Sequence, residues 1–597
     1  MRFFINSWHD FRQILTDFFR AMPYFLQYQL VIKLFFSLVI IPLFFAITNL
    51  ILQTTVDGFV ANSNILKFLI TPAGIILTII AVTLILLGAS LEICGAIIIS
   101  SRHLQSQSRI NFHQTFLLSL KLLPKMFGLG TMILVFYLTI LSPIIGNILG
   151  LSFLSWLKLP NFVVDVIFSS PFYISVYFLV ILISFALSTL WIFVFHFLAL
   201  VKYNILTAIK HSQRLVLDNL KFFIKASFGF GFYSSIIIFG AVILWSILVS
   251  FLIHKLNLEA FLPQRLIILL FLTQQLIILL STILFAPLGI FFITKLFLHL
   301  YQQPINLDIP KLPATIIDAG LKIRFVRRPL IALVIISMII TLSFPLKFFI
   351  KTPSPVMIVS HRAGGHLATE NSLNGLQKSI DLGIKWAEID IQRTQDGYYI
   401  VHHDRTLKRL TGESHPSQEL TLDEIQKLTM RNSNSTEKIA TLNQVFELAR
   451  GKINLFVELK GKTADQQMVD DVIKLAKQYQ VYDQIVLISG QVKLIHQAKS
   501  KYPDVKTGMI YYLALGDTRR FSTDYLIIEE MLANREFIKK AHHANKRVIV
   551  WTVNNELDAE KYLNLAVDGI ITDKPDKLSY LSQNLSLQDL IINAFGF

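Results

Sequence analysis

Residues 358–404 read IVSHRAGGHLATENSLNGLQKSIDLGIKWAEIDIQRTQDGYYIVHHD. His361 and His403 each close a run of apolar residues with the pattern of a buried strand, and Glu388 and Asp390 lie two apart on a third such run. On a strand, residues i and i+2 share a face, so both carboxylates can aim at one point, as a hard divalent cation requires. A carboxylate pair on a strand can also be a solvated face. Here the flanking Trp386, Ile389 and Ile391 favour the buried reading.

Outward from this stretch, strand-like runs recur at 356–360, 386–391, 398–402, 453–459, 485–489, 506–510, 525–529, 547–553 and 569–572. Helical patterns at 371–382, 441–450 and 465–479 separate some of them. Such alternation predicts a parallel α/β barrel of the TIM type. Nine runs stand where eight are needed. Asp396-Gly397 reads as a tight turn, so 386–391 and 398–402 are expected to form an extension with no crossover helix between them.

The other half of the chain is of a different kind. With 597 residues and 53% hydrophobic content, the sequence is too long for one core and too apolar for a soluble protein. Seven runs, near 31–52, 72–99, 127–149, 174–200, 229–253, 266–294 and 329–346, are long enough to cross about 30 Å of hydrocarbon. The expected architecture is therefore multi-domain. An all-α polytopic membrane domain at 1–351 precedes a catalytic α/β barrel at 352–580 and a short tail at 581–597. Residues 2–20, 109–126 and 211–226 are amphipathic and read as helices in the membrane interface. Glu92 and His196 fall inside spans, close enough to one end to reach headgroups or a neighbouring helix. No cleavable signal peptide is evident, because the first apolar run starts late and is long. Cys94 is the single cysteine, so an intramolecular disulfide is impossible.

Charge follows the same division. Lys and Arg outnumber Asp and Glu by 25 to 9 in residues 1–351 and match them, 30 to 30, in 352–597. The whole +16 excess lies in the apolar half, which fits membrane orientation and argues against a nucleic-acid partner. If the N-terminus is cytoplasmic, 19 of those 25 basic residues fall on the inside. An odd number of spans then puts the catalytic domain outside the cytoplasm.

The pieces His361-Arg362, Glu370-Asn371, Glu388-x-Asp390, Thr394 with Asp396-Gly397, and His403-Asp404 with Leu407 resemble the glycerophosphodiester phosphodiesterase family. Glu458-Leu459-Lys460, Trp551-Thr552-Val553-Asn554 and Asp568-Gly569-Ile570-Ile571-Thr572-Asp573 continue the resemblance in order, over about residues 355–580. The membrane half fits the family's membrane-anchored bacterial branch. The resemblance implies that His361 and His403 are an acid and base pair and that Glu388, Asp390 and Glu458 hold Ca²⁺ or Mg²⁺. Arg362 and Lys460 would add positive charge at the phosphate, and Trp551 would wall the site against glycerol carbons, unless it is simply core. Glu370 stays open. It would contact metal or substrate, or it belongs with Asn371 to a helix start. His366, His402, His415, His542 and His543 read as ordinary surface or loop histidines. The sequence departs from the family pattern at Ala363-Gly364-Gly365, at Thr369 where proline is common, and at Leu487-Ile488-Ser489-Gly490, which replaces a Ser-Phe strand ending. The last change bears on the pocket wall and hence on substrate choice.

The chemistry expected is hydrolysis of a glycerophosphodiester to glycerol 3-phosphate and an alcohol. The resemblance implies attack by the adjacent glycerol hydroxyl and opening of the cyclic phosphate by water. Deacylated phospholipids, lysophospholipid headgroups and glycerol-phosphate polymers all qualify as substrates beside a lipid bilayer. Competing readings are a phospholipase D-like or phospholipase C-like enzyme, and a lipid-binding membrane protein. The complete acid, base and ligand set goes beyond what binding alone requires.

Overall fold

The computed structural model describes residues 8–53, 59–62, 64–105, 112–127, 167–168, 170–255, 287–305, 356–432 and 435–582. They divide into two compact units. The first comprises Met1–Ala46, Ile76–Leu159 and Asp165–Ile350, and among its described residues it is helical without strands. Three helical runs, Trp8–Leu52, Pro72–Leu104 and Pro171–Val201, are long and apolar enough to cross a membrane, in agreement with the expected spans 31–52, 72–99 and 174–200. The expected span 229–253 lies within the helix Leu220–Lys255. Those at 127–149, beyond Phe127, and at 329–346 lie outside the described residues, as does 266–294 up to residue 286. The rest of that run opens the shorter apolar helix Pro287–Tyr301.

The N-terminal segment does not stand apart as an interfacial helix. From Trp8 it runs directly towards the first span, and its stripe of Phe11, Ile14, Phe18, Ala21 and Phe25 is buried in the helical core. Spacing by three and four residues puts these side chains on one face. Phe18 meets Phe291 edge-on at 5.8 Å, which is why the stripe faces protein. Gly95 lets Tyr28 approach, since a Cβ there would lie 2.4 Å from the Tyr28 ring, whose hydroxyl donates to the Leu91 carbonyl at 2.9 Å. Glu92 is buried with Lys33 Nζ at 4.0 Å, and His196 is buried with Nε2 at 3.1 Å from Thr294 Oγ1. Both ionisable groups thus face neighbouring helices.

The second unit comprises Lys351–Phe597 together with Ile47–Ile75 and Pro160–Val164. Its centre is a closed parallel barrel of β1 Met357–Ser360, β2 Trp386–Arg393, β3 Asn454–Leu459, β4 Ile485–Ser489, β5 Lys506–Tyr511, β6 Tyr525–Glu529, β7 Arg547–Trp551 and β8 Gly569–Thr572. Each strand pairs with its successor and β8 pairs with β1. Parallel strands covered on both faces read as near-continuous apolar runs, and β4 and β6 are buried at every position. The ninth run, Tyr399–Val401, pairs antiparallel with the outer end of β2, in the register Ile391↔Val401, as the Asp396-Gly397 turn predicts.

Val359, Phe456, Val486, Ile488, Tyr525, Ile527, Ile549 and Ile571 fill the barrel interior. Each such side chain contributes about 1.5–3 kcal/mol when fully withdrawn from water. Gly508 on β5 makes room for this layer, because a Cβ there would lie 2.5 Å from Ile527 Cδ1. The surrounding helices are started by side chains that satisfy their first amides: Ser372 for Leu373–Asp381, Thr441 for Leu442–Ala449 and Asp465 for Gln466–Gln478. Closure and filling leave the C-terminal strand ends, with the loops that follow, as the place for a site.

Candidate active site

Every residue of the expected site sits at that end of the barrel. His361 follows β1, Glu388 and Asp390 lie on β2, Glu458 is on β3 with Lys460 just beyond it, and Trp551 ends β7. His403 comes two residues after the antiparallel strand Tyr399–Val401. Gln392 holds that hairpin end by donating through Nε2 to the carbonyls of His402, His403 and Asp404, at 2.9, 3.3 and 2.7 Å.

Glu388, Asp390 and Glu458 are brought together: one oxygen of each lies within 4.8 Å of the others, and all three residues are buried. Lys460 Nζ bridges two of them, at 2.8 Å from Asp390 Oδ1 and 3.1 Å from Glu458 Oε2. Asn371 Nδ2 donates to Asp390 Oδ2 at 2.8 Å, and the Arg362 amide donates to Glu388 Oε2 at 2.9 Å. That amide is aimed by a left-handed backbone at Arg362 and Ala363, φ +48° and +73°, a conformation that costs about 1–2 kcal/mol per non-glycine residue. The following loop is pressed onto β8's end, where a Cβ on Gly365 would lie 2.2 Å from the Asp573 carbonyl oxygen.

Three buried carboxylates around one lysine carry surplus negative charge. Burial, with the charges of Asp390 and Glu458, pushes Glu388 well above the usual carboxylate range. Burial raises Glu458 as well, against the pull of Lys460. Burial also opposes ionisation of Asp390, but Lys460, His403 and Arg362 together outweigh it and hold Asp390 well below that range. Surplus charge on hard oxygen donors fits a divalent cation such as Ca²⁺ or Mg²⁺ and leaves the ion type open.

Each histidine is held through Nδ1 by a carboxylate. His361 Nδ1 is 2.6 Å from Asp573 Oδ1, and Asn554 Nδ2 donates to the other Asp573 oxygen at 2.7 Å. Burial disfavours the Asp573 charge, yet the hydrogen bond from His361 and that ring's charge prevail and hold its pKa at about 2. His403 Nδ1 is 2.9 Å from Asp404 Oδ1, and Arg409 Nε donates to Asp404 Oδ2 at 2.6 Å. Both rings stay partly exposed, 19% for His361 and 29% for His403, so a ligand can reach them.

Glu370 is not in the carboxylate cluster. It accepts from Arg362 Nη1 at 3.0 Å and from both Nη atoms of Arg409. The helix start proposed for Asn371 is also corrected: Ser372 caps that helix, and Asn371, at φ +57°, turns its amide to Asp390. Trp551 packs against the barrel-interior cluster and its Nε1 donates to the Ile527 carbonyl at 3.3 Å, so it serves as core at the end of β7. His402 is buried rather than on the surface, with Nε2 at 3.1 Å from the Thr406 carbonyl, and burial lowers its pKa. His366 packs its Nδ1 on the Asp573 carbonyl at 2.6 Å.

Asp573, Asn554, Arg409 and Glu529 were given no role by the sequence. Glu529 ends β6 in register with Trp551 and shares the inward face of Tyr525 and Ile527. The available signal was position: a polar residue at the C-terminal end of a barrel strand.

The model of the glycerophosphoryl diester phosphodiesterase family matches residues 361–577. A second, for the membrane domain of glycerophosphoryl diester phosphodiesterase, matches residues 11–346, more than half of the chain. A glycerophosphodiester phosphodiesterase of Caldanaerobacter subterraneus subsp. tengcongensis is 28% identical over 232 residues, covering 37% of this chain and 96% of its own. One from Bacillus altitudinis is 26% identical over 240 residues, covering 37% and 95%. Among solved structures, an Oleispira antarctica phosphodiesterase in complex with the product sn-glycerol-3-phosphate is similar at 22% identity and a TM-score of 0.36, covering 38% of this chain and 96% of that one.

Proposed function

Because this chain belongs to the glycerophosphodiester phosphodiesterase family, through its membrane segment and its barrel alike, we propose that it hydrolyses glycerophosphodiesters by metal-assisted acid–base catalysis with two histidines. The observation that carries this reading is the buried triad Glu388, Asp390 and Glu458 at the mouth where two carboxylate-held histidines stand. With Nδ1 engaged, each ring offers Nε2 to the substrate. One takes the proton of the attacking oxygen and the other gives a proton to the leaving alkoxide. A divalent cation on the triad would supply charge neutralisation at the phosphoryl oxygens. Arg362 Nε is buried and has no hydrogen-bond partner among the described residues, which leaves a guanidinium donor for the phosphate.

We place the membrane domain at 1–351 and the catalytic domain at 352–580, bounds that the two family matches support. The basic residues of the membrane half favour a cytoplasmic N-terminus and an extracytoplasmic barrel. That site would meet deacylated phospholipids or glycerol-phosphate polymers at the outer membrane surface. The test is glycerol 3-phosphate release from glycerophosphocholine added outside sealed cells expressing the full chain. Release that His403→Ala abolishes supports both activity and sidedness. Release only after permeabilisation sinks the sidedness, and release of phosphocholine in its place sinks the reaction.

Arg409 gives a finer test, because its fork serves Asp404 and Glu370 at once. Arg409→Lys keeps the charge but cannot make both bidentate contacts. Steady-state kinetics should show kcat lowered about tenfold, the worth of one charge-assisted hydrogen bond, with KM nearly unchanged.

A further inference from the structure

We propose that residues 59–62, between the first two membrane helices, form a working wall of the catalytic pocket, in which Asn62 positions the strand ends that set leaving-group choice. This rests on the phosphodiesterase reading above. The loop belongs to the same compact unit as the barrel. Its strand Phe59–Ala61 pairs antiparallel with Ala514–Gly516, in the register Phe59↔Gly516, Val60↔Leu515 and Ala61↔Ala514. Phe59 is buried and meets the Phe521 ring edge-on at 4.1 Å.

Asn62 is the point of engagement. Its Nδ2 donates to the carbonyls of Gly490 and Ile510, at 3.2 and 3.0 Å, and its Oδ1 accepts from the Tyr512 amide at 3.1 Å. Gly490 follows β4, and Ile510 and Tyr512 mark the end of β5, so all three contacts lie at the catalytic end of the barrel. A residue away, Ser489 Oγ donates to the carbonyl of Leu459, which stands between Glu458 and Lys460. A short path of bonds thus runs from the loop to the carboxylate wall.

Gly490 makes the arrangement specific. It has no side chain, and a Cβ there would lie 3.2 Å from Asn62 Nδ2, so the strand end can hold Asn62 this closely. The Asn62 side chain occupies the space beside the strand end, so a residue from outside the barrel sequence sits against it. Asn62 itself adopts φ +53°, a left-handed conformation that asparagine tolerates better than most residues.

The test uses the full chain in proteoliposomes with two substrates that differ only in the leaving alcohol, glycerophosphocholine and glycerophosphoglycerol. Asn62→Ala should raise KM about tenfold through the loss of three hydrogen bonds, leave kcat within about twofold, and change the preference between the two alcohols. Cation affinity should stay as in the wild type. Independently, Ala61→Cys with Ala514→Cys, directly opposite in the register, should cross-link on oxidation with activity retained; the native Cys94 is buried. Unchanged KM and preference in Asn62→Ala would overturn the proposal, as would a missing cross-link or activity lost on oxidation and regained on reduction. A wild type inactive on both substrates would instead sink the phosphodiesterase reading.

Discussion

Asp390→Ala is expected to lower kcat/KM by about 10³-fold or more and to abolish tight binding of Ca²⁺ or Mg²⁺. A cation at a phosphoryl oxygen can supply several kcal/mol, and each 1.36 kcal/mol is a factor of ten. Asp390 is the carboxylate kept charged by its surroundings, with Lys460 and Asn371 bonded to its two oxygens. Removing it leaves Glu388 and Glu458, which burial pushes towards the protonated form. Titration calorimetry with either ion reads the binding loss directly, and chelator treatment of the wild type should reproduce the loss of rate. A chelated enzyme that keeps its full rate would sink the metal reading, whatever Asp390→Ala does.

Asp573→Asn is expected to cut kcat by about 10²–10⁴-fold, the range of a general acid or base, with cation affinity unchanged. Asn554 donates Nδ2 to one Asp573 oxygen, so an asparagine at 573 must turn its carbonyl there and its NH₂ towards His361. Two donors cannot face each other, and His361 would then carry its proton on Nε2 instead of Nδ1. The ring would keep its place but present a protonated Nε2 that cannot accept a proton from the substrate. A rate near wild type in this variant would remove Asp573 from any role in orienting His361.

Much of the barrel was legible because parallel strands covered on both faces leave continuous apolar runs. The runs at 485–489 and 525–529 correspond to β4 and β6 without adjustment. The extra run at 398–402 was legible through its Asp-Gly turn. The carboxylate pair on β2 was legible because i and i+2 share a face. Asp573 was not legible in the same way: it lies 212 residues from His361, and only barrel closure, with β8 beside β1, makes them neighbours. Asn371 looked like a helix cap because Asn often is one, and here the next residue, Ser372, takes that task. The N-terminal stripe of phenylalanines fits both a lipid interface and a protein core, and only its partners Phe230 and Phe291 decide between them. Phe59–Ala61 gave no signal because a three-residue strand takes its meaning from a partner more than 450 positions away.

That pairing also constrains how the chain is threaded. Two segments that share a ladder must lie on one side of the bilayer, so between residue 62 and residue 514 the polypeptide must cross an even number of times. The seven-span scheme places six crossings in that interval and satisfies the condition; dropping or splitting a single span there would violate it. Parity therefore tests the span count independently of where the basic residues lie, and a reporter fused after any inter-span loop can be checked against it.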